Sequence, residues 1–84
     1  MRVAAGVQAI SISGRGLRVD GRIWRADSLR VSAAGARLRI DGKPADRTLV
    51  IDARGPLVLD GRVLPGALRL AARGERALDA VSLV

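Results

Sequence analysis

The chain has no cysteine, no histidine, no phenylalanine and no tyrosine, and its only aromatic side chain is Trp24. Without cysteine and histidine there is no thiol nucleophile, no disulfide, no zinc site of the Cys/His type and no Ser-His-Asp triad. The lack of cysteine leaves the compartment open; it means only that no disulfide framework braces a small domain. Candidates for acid–base chemistry are reduced to seven Asp, Glu75 and Lys43. No apolar run approaches the roughly 20 residues that a membrane helix needs, so no membrane span is expected. Met1 to Ile10 lacks the apolar region and cleavage site of a signal peptide, so an exported protein would carry its signal upstream of Met1.

What is present is mostly Leu, Val, Ile, Ala, Gly and Arg. A chain of 84 residues makes one small domain with a marginal core, burying about 60–65% of its extended surface. The net charge is +7, carried by fourteen Arg and one Lys. A basic surface favours polyanions such as nucleic acid, acidic lipid or an anionic cell wall. A coding sequence rich in G and C produces the same Arg-rich, Lys-poor balance without any ligand.

The chain repeats itself. Leu17-Arg18-Val19-Asp20-Gly21-Arg22 returns as Leu38-Arg39-Ile40-Asp41-Gly42-Lys43 and again as Leu57-Val58-Leu59-Asp60-Gly61-Arg62. A second alternating stretch follows each copy: Ser28 to Ser32, Thr48 to Asp52, and Ala67 to Ala71. Asp-Gly between alternating apolar residues is a strong hairpin signal, because a type I′ turn requires positive φ at both central positions. Asp tolerates that region and Gly adopts it freely. A two-residue turn pairs Val19 with Arg22, Arg18 with Ile23 and Leu17 with Trp24. Leu17, Val19 and Trp24 then share one face, and Arg18 and Ile23 the other. The predicted fold is all-β: three antiparallel hairpin units of about 20 residues. The expected division is leading strands over 1–14, hairpin repeats over 15–35, 36–54 and 55–73, and a turn with a final strand over 74–84. Leu78 to Val84 alternates as a strand and stops without a polar tail. It is expected to be an unpaired, aggregation-prone edge of a domain cut short.

The same residues offer few sites. Asp20, Asp41 and Asp60 stand at equivalent positions, but each has a conformational role in its turn, and a calcium loop needs more oxygen ligands close together. Gly14-Arg15-Gly16 lacks the third glycine and the helix of a dinucleotide fingerprint, and Gly61 to Gly66 lacks the Lys-Ser/Thr of a phosphate loop. No catalytic residue, metal site or cofactor site is expected. Arg18, Arg30, Arg39 and Arg69 alternate with apolar neighbours and could line one basic sheet face or an ordinary solvated one. Single-strand nucleic-acid binders add stacking aromatics to such a face, and only Trp24 is available, so nucleic acid is an unfavoured partner.

Arg2-Val3-Ala4, then Val7 to Ser13 with Gly14, then Gly61-Arg62-Val63-Leu64-Pro65-Gly66-Ala67-Leu68-Arg69-Leu70 and Arg76 to Val84, together resemble the amino-terminal part of the stage II sporulation protein D (SpoIID) / LytB amidase-enhancer domain. The family pattern has Tyr-Arg where this chain has Leu64-Pro65, and Val-Asn where it has Val81-Ser82. The resemblance implies a bacterial, extracytoplasmic cell-envelope protein whose partners are peptidoglycan glycan strands, with other cell-wall hydrolases as further partners. The family resembles lytic transglycosylases, with a catalytic Glu in a segment that would follow Val84, so this chain would supply a non-catalytic β scaffold. Glu75 lies in a turn and is not that acid; glycan cleavage needs a carboxyl of raised pKa held in a cleft. The alternatives are a structural β-repeat protein, solenoid-like, that assembles through open ends, or a basic nucleic-acid-binding β module. Asp-Gly hairpins oppose the solenoid, whose coils are parallel.

Overall fold

The alternating stretches become strands because alternation gives each one a single apolar face to bury. A computed structural model describes residues 2–64 and 66–83. It contains β1 (Arg2–Val7), β2 (Ala9–Ser13), β3 (Arg18–Val19), β4 (Arg22–Ile23), β5 (Ser28–Ala34), β6 (Arg37–Ile40), β7 (Lys43–Pro44), β8 (Thr48–Asp52), β9 (Leu57–Leu59), β10 (Arg62–Leu64), β11 (Ala67–Ala72) and β12 (Leu78–Leu83). The fold is all-β, with two six-stranded antiparallel sheets ordered β1-β12-β11-β8-β3-β4 and β10-β9-β2-β5-β6-β7. Ile10, Ile12, Leu29, Val31, Leu38, Leu57 and Leu59 of the second sheet meet Val19, Leu49, Ile51, Leu68, Leu70 and Leu78 of the first, with Leu17 just before β3, in one buried cluster. Fully burying each such side chain contributes about 1.5–3 kcal/mol.

The three Asp-Gly turns stand where the sequence puts them. Asp20, Asp41 and Asp60 have φ of 52°, 50° and 47°, followed by Gly21, Gly42 and Gly61 at 81°, 83° and 86°. Each turn joins antiparallel strands: β3 to β4, β6 to β7 and β9 to β10. The predicted pairs Arg18–Ile23 and Val19–Arg22 are present, and the Trp24 N–H donates to the Leu17 carbonyl at 2.8 Å.

The turn Asp residues also reach across to a neighbouring strand. The Asp20 carboxylate accepts the N–H of Val50 at 2.9 Å, Asp41 that of Arg30 at 3.0 Å, and Asp60 that of Ser11 at 3.0 Å. The backbone N–H of the same three Asp donates back to the carbonyls of Val50, Arg30 and Ser11 at 2.7, 2.8 and 3.0 Å. Each hairpin tip is thereby fastened at two points to the middle of a long strand.

The two sheets are built alike. Exchanging each strand for the one six places along the chain turns the order β4-β3-β8-β11-β12-β1 into β10-β9-β2-β5-β6-β7. Register follows: Ser11 opposes Arg30 as Val50 opposes Arg69, and Ile12 opposes Leu59 as Ile51 opposes Val19. Loop bonds follow too, with Ala33 N–H on the Gln8 carbonyl and Ala72 N–H on the Arg47 carbonyl. Hairpin β3–β4, from the first half of the chain, sits on β8 of the second half, and hairpin β9–β10 sits on β2 of the first.

One expectation is corrected by this topology. The strand from Leu78 is not an open edge: β12 lies between β1 and β11 and pairs with both. The chain's first strand supplies the partner that the local sequence around Leu78 could not announce. The Asp79 carboxylate helps hold it there, accepting the Gly6 N–H at 2.9 Å and the Arg73 guanidinium at 2.5 Å. The parallel coils of a solenoid are also absent, since every strand pair among the described residues is antiparallel. Pro65 and Val84, both part of the stretches quoted for the family resemblance, lie outside the described residues.

Candidate functional site

A groove of about 620 Å³ runs between hairpins β3–β4 and β6–β7, which are edge elements of different sheets. Its floor is apolar, formed by Val19, Trp24, Ile40 and Leu49, and its polar groups are Asp20, Arg22 and Asp46. A second hollow continues past Trp24 to Arg25, Asp41 and Lys43. The only aromatic ring of the chain therefore lies along a channel whose mouth carries Arg22, Arg25 and Lys43.

Local pairing explains the placement. Residues opposed across a hairpin share a face, so Trp24, next to Leu17, turns inward with Val19, while Arg22 opposes Val19 and Lys43 opposes Ile40 at the rim. Trp24 is half-buried and packs against the core without being part of it. The edge position of β4 leaves one side of the indole open to the groove. The neighbouring Ile23 is 82% exposed and also borders the groove.

Arg18, Arg30, Arg39 and Arg69 do not share one face. Arg30 and Arg39 lie on β5 and β6 of one sheet, whereas Arg18 and Arg69 lie on β3 and β11 of the other. Arg18 is neutralised locally by a two-pronged bond to Asp52, at 3.0 Å from Nε and 2.8 Å from Nη2. Asp20, Asp41 and Asp60 are separated onto different hairpins and engaged with backbone N–H groups. No group of three His, Cys, Asp or Glu able to hold a metal ion occurs among the described residues. Glu75 lies in the turn between β11 and β12 and is exposed. It lines a shallow hollow with Gln8, Arg30, Ser32 and Arg76.

No family model matches the chain, nor does any curated protein or solved structure. Pro44 and Asp46 were not singled out by the sequence. The usable signal was a lone Trp two residues after Arg22 in one Asp-Gly unit, with Lys43 at the position of Arg22 in the next.

Proposed function

We propose that this chain is a non-catalytic β scaffold of a SpoIID/LytB-like, peptidoglycan-modifying protein of the cell envelope, and that it holds glycan strands in the groove beside Trp24. The observation that carries the reading is the half-buried indole lying along an open groove with cationic residues at its mouth. An indole held on edge by the core presents a rigid apolar face on which the C–H face of a sugar ring can lie. Asp46 and Arg22 are positioned to exchange hydrogen bonds with ring hydroxyls. Arg22, Arg25 and Lys43 suit the carboxylates of the peptides that peptidoglycan glycans carry. The sequence resemblance to the SpoIID/LytB domain supplies the substrate class.

The groove favours binding over cleavage. Asp20 and Asp46 both reach it, but each is exposed, and Asp20 is occupied by the Val50 N–H. A general acid for glycan cleavage is enclosed against apolar walls that raise its pKa. A basic module for nucleic acid is the second reading. A single ring offers one stacking platform, where such binders use several.

The test uses the fact that Trp24 is the only tryptophan. Soluble glycan strands are titrated into the chain while its emission is recorded, and Trp24→Leu is examined by calorimetry. Saturable change in emission with heat release lost in Trp24→Leu is expected. Binding that is unaltered in Trp24→Leu refutes the groove. Anhydro-sugar ends released by the 84-residue chain, and lost on Asp20→Ala, Asp46→Ala or Glu75→Gln, refute the non-catalytic assignment.

A further inference from the structure

The two sheets have four outer strands: β1 and β4 in one, β10 and β7 in the other. An outer strand offers unpaired backbone groups to any extended chain, and proteins blunt such edges with proline or irregular pairing. Two of the four are blunted here. β1 carries two breaks in register along its pairing with β12. β7 has Pro44 on its edge.

The three Asp-Gly hairpins show what Pro44 does. In a hairpin closed by a two-residue turn, the pair beside the turn exchanges both backbone hydrogen bonds and the next pair exchanges none. The outer residue of that next pair therefore points its backbone groups away from the hairpin. These residues are Ile23 opposite Arg18, Pro44 opposite Arg39 and Val63 opposite Val58. The bonds from Trp24 N–H to the Leu17 carbonyl and from Ala45 N–H to the Leu38 carbonyl, one residue further on, fit this alternation. Pro44 has no N–H to offer, so β7 is closed. Ile23 and Val63 each turn an N–H and a carbonyl to an edge on which no described strand pairs. Their side chains are 82% and 67% exposed. The hairpin accepts proline at this place, so folding does not require the two open edges.

β10 is set apart from β4 by what lies beside it. A hollow of about 620 Å³ borders Val63, with Ala53, Pro56 and Ala67 as apolar walls and Asp52 and Arg54 as its charged groups. Asp52 is engaged by Arg18 at 3.0 and 2.8 Å. Arg54 and Arg62 are exposed, and neither makes an ion pair among the described residues. We infer that the β10 edge binds an extended, acidic segment of a partner protein, added to the sheet as a further strand, with an apolar side chain for the hollow and carboxylates for Arg54 and Arg62. A residue set opposite Val63 exchanges both backbone bonds with it and shares its face, which brings its side chain to the hollow. In an antiparallel strand its two neighbours stand opposite Leu64 and Arg62, where an apolar and an acidic residue fit. The net charge of +7 repels a second copy of this chain and attracts an acidic segment. The hollow shares no lining residue with the Trp24 groove and does not depend on the reading given to it.

The probe is the capped peptide Glu-Val-Val-Glu-Glu, titrated into the isotope-labelled full chain while backbone amide signals are followed. Saturable shifts centred on Arg62, Val63 and Leu64 are expected. Val63→Pro removes the same N–H that Pro44 lacks in β7, and should weaken binding about tenfold or more. Trp24 emission checks that this variant remains folded. Methylating the amide nitrogen of the peptide's second valine leaves the protein untouched and should weaken binding by a similar factor, because that residue is the one set opposite Val63. Arg54→Gln should weaken it about threefold or more. Methylated peptide bound as tightly as the parent, or penta-glutamate bound equally well, overturns strand addition, since charge alone would then account for binding. Shifts centred on Ile23, lost in Ile23→Pro and kept in Val63→Pro, overturn the choice of β10. The absence of any saturable shift overturns the proposal as a whole.

Discussion

Removing the Asp60 carboxylate tests whether the hairpin tips are fastened to the strands beneath them. Asp60→Ala deletes the acceptor for the Ser11 N–H at 3.0 Å and puts Ala at a φ of 47°. A hydrogen bond to a charged acceptor contributes about 1.5–3 kcal/mol when protected, but this one is solvent-exposed, so about 1 kcal/mol is the reasonable share. Losing the tolerance of Asp for positive φ adds about 0.5 kcal/mol. The single variant should therefore cost about 1–2 kcal/mol. Asp20→Ala and Asp41→Ala should cost the same, because Val50 and Arg30 are held in the same way. The tips lie on different hairpins, so their effects should add, and the triple variant should lose about 3–6 kcal/mol. Against a total of about 4–13 kcal/mol for a chain of this size, that loss is a large share and unfolds a chain whose stability lies at the low end. The assay is urea denaturation followed by Trp24 emission. Asp60→Asn is the companion variant, since it keeps both an acceptor oxygen and the tolerance for positive φ, and it should fall within about 0.5 kcal/mol of wild type. Alanine variants with unchanged midpoints, or asparagine variants as damaged as alanine ones, would refute the two-point fastening.

Gly21→Val should cost about 1 kcal/mol or more, read as a lowered denaturation midpoint. Space is not the cause, since nothing lies within 4 Å of an added Cβ; the φ of 81° is. Trp24→Leu should cost less than about 1.5 kcal/mol by thermal denaturation, because the equivalent hairpin accepts Leu64 at this position. Asp79→Ala should cost about 2 kcal/mol and speed hydrogen exchange at Gly6, because a largely buried carboxylate that holds β1 would be gone. Unaltered exchange at Gly6 would separate Asp79 from the docking of β1.

The hairpins were legible because everything that specifies them is local. Asp-Gly, flanking alternation and a short loop fix both the turn and its register within eight residues, as in Leu17 to Trp24. Sheet order was not legible. The tie from Asp20 to Val50 spans 30 positions and that from Asp60 to Ser11 spans 49, and no local pattern names a partner so far away. The role of β12 was hidden for a related reason. Leu78, Ala80 and Ser82 turn inward while Val81 and Leu83 turn outward, and that alternation reads the same for an edge strand and for one paired on both sides. The turn Asp residues read as conformational, which they are. Their second oxygen-to-backbone role depends on which strand lies beneath the tip.

The candidate sites were half legible for the same physical reason. That Arg30, Arg39 and Arg69 face solvent follows from alternation. That Arg30 and Arg39 gather on one sheet while Arg69 does not depends on strand order. Once the order is known, the doubled architecture separates what folding requires from what it merely allows. Inward positions agree between halves: Ile12 with Ile51, Leu59 with Val19, and Leu38 with Leu78 are all buried and apolar. The halves differ where the backbone is indifferent, on the outward faces and at the pair Trp24 and Leu64. Leu64 is 7% exposed and completes its side of the core, so a leucine does at that position whatever folding asks of it. An indole in the other half is larger than the core can enclose and leaves a ring face in the groove. Its excess surface faces the groove and is not enclosed among the described residues, and a ligand lying along the groove is the partner that would cover it.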